Sequence, residues 1–350
     1  WTLSGANSFT GGASINAGTL SVNTVGNSGG NSSLGTNGTI NIGATTVGGT
    51  LTYTGAVGET SNKVINLAGT TGGVTINQNG AAGNLLFTNN LTATGSGAKT
   101  LILSGSAGGT GEISGSIVDS GGGATAVTKS GSGTWTISGA NSYSGTTRTD
   151  GSGGTLIMSG SNSSLTGAIT VQTGTLALNS ASNGGLAGGL LTLSSGGALQ
   201  ILTAATLSNT VSIATGSGGF GITGSQNLTF NGDVTHTNQT NKGLVNNLSG
   251  GAILTLNGAL MNLSAPTSNT YLSSGSGDTV INSLIQTLGG GGVGSLTHSG
   301  GGRLTLTNAN TYAGTPTVSG GTLQLNNTAA ISASALVISG GTLALRSDTN

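Results

Sequence analysis

Residues Trp135 to Met158 read WTISGANSYSGTTRTDGSGGTLIM, and the same pattern recurs twice more in the chain. Trp1 to Val22 reads WTLSGANSFTGGASINAGTLSV, and Leu304 to Leu325 reads LTLTNANTYAGTPTVSGGTLQL. The step from Leu3 to Ile15 is repeated without change from Ile137 to Thr149 and from Leu306 to Val318. The second copy then carries two extra residues within Asp150–Gly154, a Gly-rich stretch where a turn tolerates insertion and a strand does not. A fourth, weaker copy, MSGSNSSLTGAITVQTGTLAL, follows directly at Met158 to Leu178. Leu156 recurs as Leu176, and Leu323 as Leu343, with equal steps; the step from Leu176 to Leu199 is slightly longer. A period of roughly 20–23 residues, built from short strands, fits one turn of a parallel β-solenoid and is too short for a propeller blade or a helical hairpin.

Local patterning agrees. In Thr134–Ile137 and Arg303–Thr307 apolar and polar residues alternate with period two, as in Thr19–Val22 and Thr322–Leu325. Such strands turn one face to a core and the other to water. Asn-Gly steps at Asn37-Gly38, Asn79-Gly80 and Asn231-Gly232 separate the runs and supply sharp turns. No stretch keeps apolar residues at helical spacing without glycine breaks. The expected fold is all-β, a right-handed parallel β-helix (β-solenoid) of about 20–23 residues per coil. It runs as one solenoid over residues 1–350, with the clearest copies at 1–23, 129–178 and 298–347. At that period the chain makes roughly 15–17 coils spaced about 4.8 Å apart.

Composition narrows the function. Of 350 residues 70 are Gly, 2 are Pro and none is Cys, and charged residues make up 4%. Seven basic and seven acidic residues cancel and are scattered, so the chain has no basic patch for nucleic acid or anionic lipid. No apolar run reaches about 18 residues, so no helix spans a membrane. Without cysteine there is neither a disulfide framework nor a thiol metal site. Disorder is set aside because net charge is zero and β-branched residues abound. Starting at Trp1 inside a repeat, the chain reads as a piece of a longer protein. Open end coils would then meet more of that protein or another copy.

The motifs GANSFTGG, GANSYSGTT and NANTYAGTP, each followed by a GTL strand, resemble the autotransporter-associated β-strand repeat. The likeness covers Trp1–Asn23, Gly95–Leu178 and His298–Leu345. It implies a right-handed β-helical passenger of a bacterial surface or secreted protein, exported to the outer cell surface. The C-terminal β-barrel of true autotransporters is absent from this stretch, so self-transport does not follow. Thr149 stands where Ile15 and Val318 stand, which predicts a coil that is locally polar or shifted in register.

Candidate chemistry is sparse. Asn7, Asn141 and Asn310 recur after the first strand of each copy and are expected to bond turn backbone or a neighbouring coil. Phe9, Tyr143 and Tyr312 follow two residues later and are expected to cover a corner, with a sugar-stacking platform as the rival role. His298 occupies the place of Lys129, which reads as a solvated strand end. His236 and Asp233 supply too few ligands for zinc, which takes three or four. The acids Glu59, Glu112, Asp119, Asp150, Asp233, Asp278 and Asp348 show no pairing of the kind glycoside hydrolysis needs. No catalytic, metal or cofactor site is expected. Thr-x-Thr runs such as Thr52–Thr54 and Thr305–Thr307 do not recur at the coil period, which argues against an ice-binding face. The leading expectation is a structural or adhesive spacer, filament or matrix component that associates with itself, laterally or end to end, or with surface glycans. Its rivals are a glycan- or host-binding passenger using loops in Val25–Thr94 and Ser180–Thr297, and a polysaccharide-active enzyme.

Overall fold

The computed structural model describes the chain except residues 151, 163, 181–185, 187, 188, 195, 215–218, 237–241, 264–268, 289–292, 332–334 and 347–350. All described regular structure is strand, and every named strand pair is parallel, giving a β-solenoid of about 12 turns. The chain forms two compact units, residues 1–169 with 174–187, and residues 170–173 with 188–350.

In the first unit one wall stacks Thr2–Leu3, Gly18–Val22, Gly49–Tyr53, Val74–Gln78, Lys99–Gly105, Thr125–Lys129 and Thr147–Thr149. A second wall stacks Glu59–Ser61, Asn84–Phe87, Thr110–Ile113, Thr134–Ile137, Thr155–Met158 and Gly174–Leu178. A short third wall holds Ala13–Ile15, Thr39–Ile42 and Val64–Leu67. The second unit has three walls for most of its length. Its third wall runs from Ala205–Leu207 through Leu228–Phe230, Ile253–Leu256 and Asp278–Ile281 to Arg303–Leu306, Thr322–Leu325 and Thr342–Leu345.

Winding length is not uniform. Thr134 pairs with Thr155 and Thr155 with Thr175, offsets of 21 and 20. Gly18 pairs with Gly49, an offset of 31, and Lys242 with Tyr271, an offset of 29. Longer windings consume more of the chain each, so about 12 turns replace the expected 15–17. The extra residues build a third strand or a long corner, as between Ile113 and Thr125. Opening a new wall at Glu59–Ser61 also changes which wall the repeat occupies. The first copy's Thr2–Leu3 lies in one wall and the second copy's Thr134–Ile137 in the other.

Inside, like stacks on like. Trp135, Leu156 and Leu176 form one column and Ile137, Met158 and Leu178 the next, all with no solvent exposure. Burying each Leu or Met stabilises the stack by about 1.5–3 kcal/mol. Trp135 fits because its neighbour on the ladder is Gly111, where an added Cβ would lie 2.5 Å from the indole ring. Backbone shape fixes the glycine of four GTL signatures: Gly18, Gly174, Gly321 and Gly341 have φ of 67°, 73°, 60° and 76°. Thr149 keeps its register opposite Lys129 and points inward, 1% exposed, so that coil is locally polar rather than shifted.

Candidate functional site

Polar chemistry in this protein lies mostly inside the walls and at their corners. Buried side-chain donors of unrelated types reach backbone carbonyl oxygens at turns and strand ends. The Lys63 ammonium donates to the carbonyls of Gly35, at 3.1 Å, and Asn37. Lys99 donates to Gly69 and Thr70 at 2.5 and 3.0 Å, and Lys129 to Ser130 and Gly131 at 2.5 and 2.9 Å. The Trp135 indole donates to Ser104 at 2.7 Å, the Tyr53 hydroxyl to Val57 at 2.7 Å and the Gln78 amide to Thr110 at 3.0 Å. In the second unit the Asn246 amide donates to Asp278 at 2.8 Å, and His298 Nε2 meets the Gly302 carbonyl at 3.0 Å.

Lys129 and His298 are 1% and 3% exposed, which overturns the solvated strand end expected of both. A long or ring-shaped side chain with a donor at its tip reaches the corner from inside, and sequence alone does not show which way it points. Burial lowers the Lys99 pKa and pushes Lys129 down to about 8. Burial also lowers Lys63, partly offset by the nearby Glu59 charge.

The six described carboxylates tie chain segments together. Glu59 accepts the backbone N–H groups of Val25 and Gly26 at 2.8 and 2.5 Å, fastening the loop of residues 23–38. Glu112 accepts Asn84 Nδ2 at 3.1 Å and the Ser138 hydroxyl at 2.6 Å, one winding before and one after. Asp119 accepts the N–H of Thr125 at 2.7 Å and of Ser144 at 3.0 Å. Burial pushes the Asp119 carboxyl up, but the bonds from Thr125 and Ser144 outweigh it and hold the group below its ordinary range. Asp233 accepts Leu260 N–H and Asp278 accepts Arg303 N–H, both at 2.9 Å, and Asp150 pairs with Arg148 at 2.9 Å. Asp348 lies outside the described residues. No group of three His, Asp or Glu side chains gathers among the described residues.

The recurring turn residues take these places. Asn141 is buried: its Oδ1 accepts Ile117 N–H at 2.9 Å, and its Nδ2 donates to Gly139 and to Asn162 Oδ1 at 3.1 and 2.6 Å. Asn310 repeats the arrangement, accepting Ile285 N–H at 2.8 Å and donating to the Ala330 carbonyl at 2.6 Å. Asn7 is half-buried and donates to Ser33 at 3.0 Å. Asn162, which continues the rung above Asn141, escapes the sequence reading; its signal is the SGSN of the fourth copy set against SGAN of the second. Tyr143 and Tyr312 are fully buried rather than laid over a corner, and the Tyr143 hydroxyl meets Thr147 Oγ1 at 2.7 Å. Phe9 stays 42% exposed.

The outward faces carry columns of threonine. Thr110, Thr134, Thr155 and Thr175 lie opposite one another on four successive strands, as do Thr19, Thr50 and Thr75 in the first unit and Thr206, Thr229 and Thr255 in the second. Register is therefore kept where unequal spacing in sequence predicts its loss. Corners absorb the extra residues while parallel pairing holds the strands aligned. A side-chain ladder runs beside the last of these columns. Asn257 Nδ2 donates to Asn231 Oδ1 and Asn282 Nδ2 to Asn257 Oδ1, both at 3.1 Å, and the Thr307 hydroxyl donates to Asn282 Oδ1 at 2.8 Å. Val25–Thr94 and the described part of Ser180–Thr297, where loops were expected, also hold regular strands: Thr39–Ile42, Val64–Leu67, Phe220–Gly224 and Ile253–Leu256 pair in parallel.

This is the architecture of a repeat β-solenoid in which buried asparagines, lysines and all six described carboxylates bond to its own windings. Residues 1–22, 127–148, 150–178 and 296–325 match the family model described as the passenger-associated-transport-repeat, which gives the chain repeats of the autotransporter-passenger type. No curated protein and no solved structure matches the chain.

Proposed function

We propose that this chain is a structural segment of an exported bacterial surface protein, a spacer or matrix element displayed outside the cell and acting without catalysis. The observation that carries this reading is the engagement of all six described carboxylates by chain atoms of the same molecule. A hydrolase needs a pair of carboxyls free to meet substrate. Passenger-type repeats support export to the outer surface. Neutral Thr and Asn columns support contact with another copy or with uncharged glycans rather than with nucleic acid, whose phosphates call for clustered cations.

The rival reading, a glycan-binding passenger, has less support. Eight of the ten aromatic side chains are buried, leaving Trp1 and Phe9 as the exposed ones, and sugar recognition draws on exposed rings. A glycan array tests the two. The spacer reading expects no reproducible binding; dose-dependent capture by one defined glycan would replace it with the binding reading. Glu112→Ala and Asp119→Ala variants, assayed on plant and bacterial polysaccharides beside the parent, are expected to differ in melting temperature and to show no turnover in any of the three proteins.

A further inference from the structure

We infer that the fold ranks the four described Asn-Gly steps as sites of spontaneous deamidation, and that Asn231 leads among them. Four such steps are described: Asn37-Gly38, Asn79-Gly80, Asn231-Gly232 and Asn257-Gly258. The chemistry is intramolecular. The glycine backbone nitrogen attacks Asn Cγ, its proton leaves with the side-chain amide as ammonia, and a five-membered imide closes. Water then opens the imide at either carbonyl, giving aspartate or isoaspartate. The reaction needs a side chain free to turn over its own backbone and a glycine nitrogen free to attack.

Three of the four steps are restrained. Asn37 is held at both ends, donating to the Thr10 carbonyl at 3.2 Å and accepting Thr39 N–H at 2.8 Å. Asn79 is exposed, but its Oδ1 accepts Ser106 N–H at 3.0 Å, and the nucleophile it requires, Gly80 N–H, donates to Gln78 Oε1 at 2.8 Å. Asn257 is the middle rung of the outer ladder, with its Nδ2 on Asn231 and its Oδ1 taking Asn282, and Gly258 is buried. Asn231 is the rung at the ladder's end. Its side chain is exposed, Gly232 is half-buried, and among the described residues the ladder bond is the one its Oδ1 accepts. The reactive dipeptide is imposed by stacking, because a Cβ at Gly232 would lie 1.9 Å from the Asn209 carbonyl oxygen. Each event places a carboxylate in a column that carries only amides and hydroxyls, and the isoaspartate product lengthens that winding's backbone by one atom.

The test is incubation of the folded protein at mildly alkaline pH, followed by trypsin and fragment mass spectra that assign each gain of about 1 Da, the exchange of an amide for an acid. Asn231 is expected to react about fivefold faster than Asn37, Asn79 or Asn257, the factor that one retained hydrogen bond supplies. In urea the four rates should converge. Asn231→Gln, which lacks the five-membered ring closure, should remove the leading signal. Asn282→Ala should speed Asn257 by releasing its Oδ1. Equal rates in the folded protein, or a lead by Asn79, would overturn the inference.

Discussion

The short windings that match the passenger repeat, such as the one from Thr134 to Thr155, and the longer windings between Val211 and Leu306 solve one problem in two ways. Both must close a third side around a slim core. The long windings do it with a strand: Leu228–Phe230, Ile253–Leu256 and Asp278–Ile281 hand their backbone bonds to one another. The repeat-matching windings run without one. Between Ile137 and Thr147 the chain turns, and buried Asn141 and Asn162 pass side-chain amide bonds from winding to winding where a backbone ladder would run. Asn310 does the same above Ile285. A recurring sequence motif thus marks the place where side chains stand in for main chain. The long windings also carry an asparagine ladder, Asn231 to Asn282, but on an exposed corner where water competes for every bond.

The largest expected effect comes from the core that the short windings share. Trp135→Ala should cost about 3–5 kcal/mol, from the cavity plus an unpaired Ser104 carbonyl, read as a drop in the urea midpoint. Next, the two asparagine ladders should separate sharply. Asn141→Ala or Asn310→Ala should cost about 2–3 kcal/mol, because each leaves a buried backbone N–H and a buried acceptor without partners. Asn257→Ala, on the exposed ladder, should cost less than about 0.5 kcal/mol. Equal costs would break the distinction between the two kinds of winding. Native-state hydrogen exchange should place the Asn141 effect at Ile117 N–H, the group it caps.

Smaller effects follow pH. The folded Lys129 pKa of about 8 lies below the unfolded value of about 10.4, so between these the unfolded chain binds more protons and stability rises with pH. Lys129→Met should flatten that rise in melting temperature. Asp119 has the opposite sense. Its folded pKa is depressed, so its contribution is complete above the unfolded value of about 3.9 and is lost as pH falls through the folded one. Asp119→Asn should reduce the acid sensitivity of the Thr125 and Ser144 amides, measured by exchange at low pH.

Much of the fold was legible. Leu156 and Leu176, read as one period apart, are ladder partners, and Leu323 and Leu343 likewise. The uneven period was not, because Thr39–Ile42 or Asp278–Ile281 have the same alternation as any other strand and nothing in them announces a third wall. The recurrence of Asn141 and Asn310 was visible, and so was a role in turns. The buried lysines were hidden: Lys63, Lys99 and Lys129 look like scattered surface charges until the corner carbonyls they reach are placed beside them.

The amino-acid sequence by itself determined that this protein winds in parallel strands around an aliphatic interior, because period-two patterning and repeat spacing are properties of neighbours along the chain. Tertiary structure alone decided how many strands each winding has, which threonines and asparagines line up, and which charges go inside. Those depend on contacts between residues about 20–30 positions apart, fixed by backbone pairing between windings and the space left at their corners.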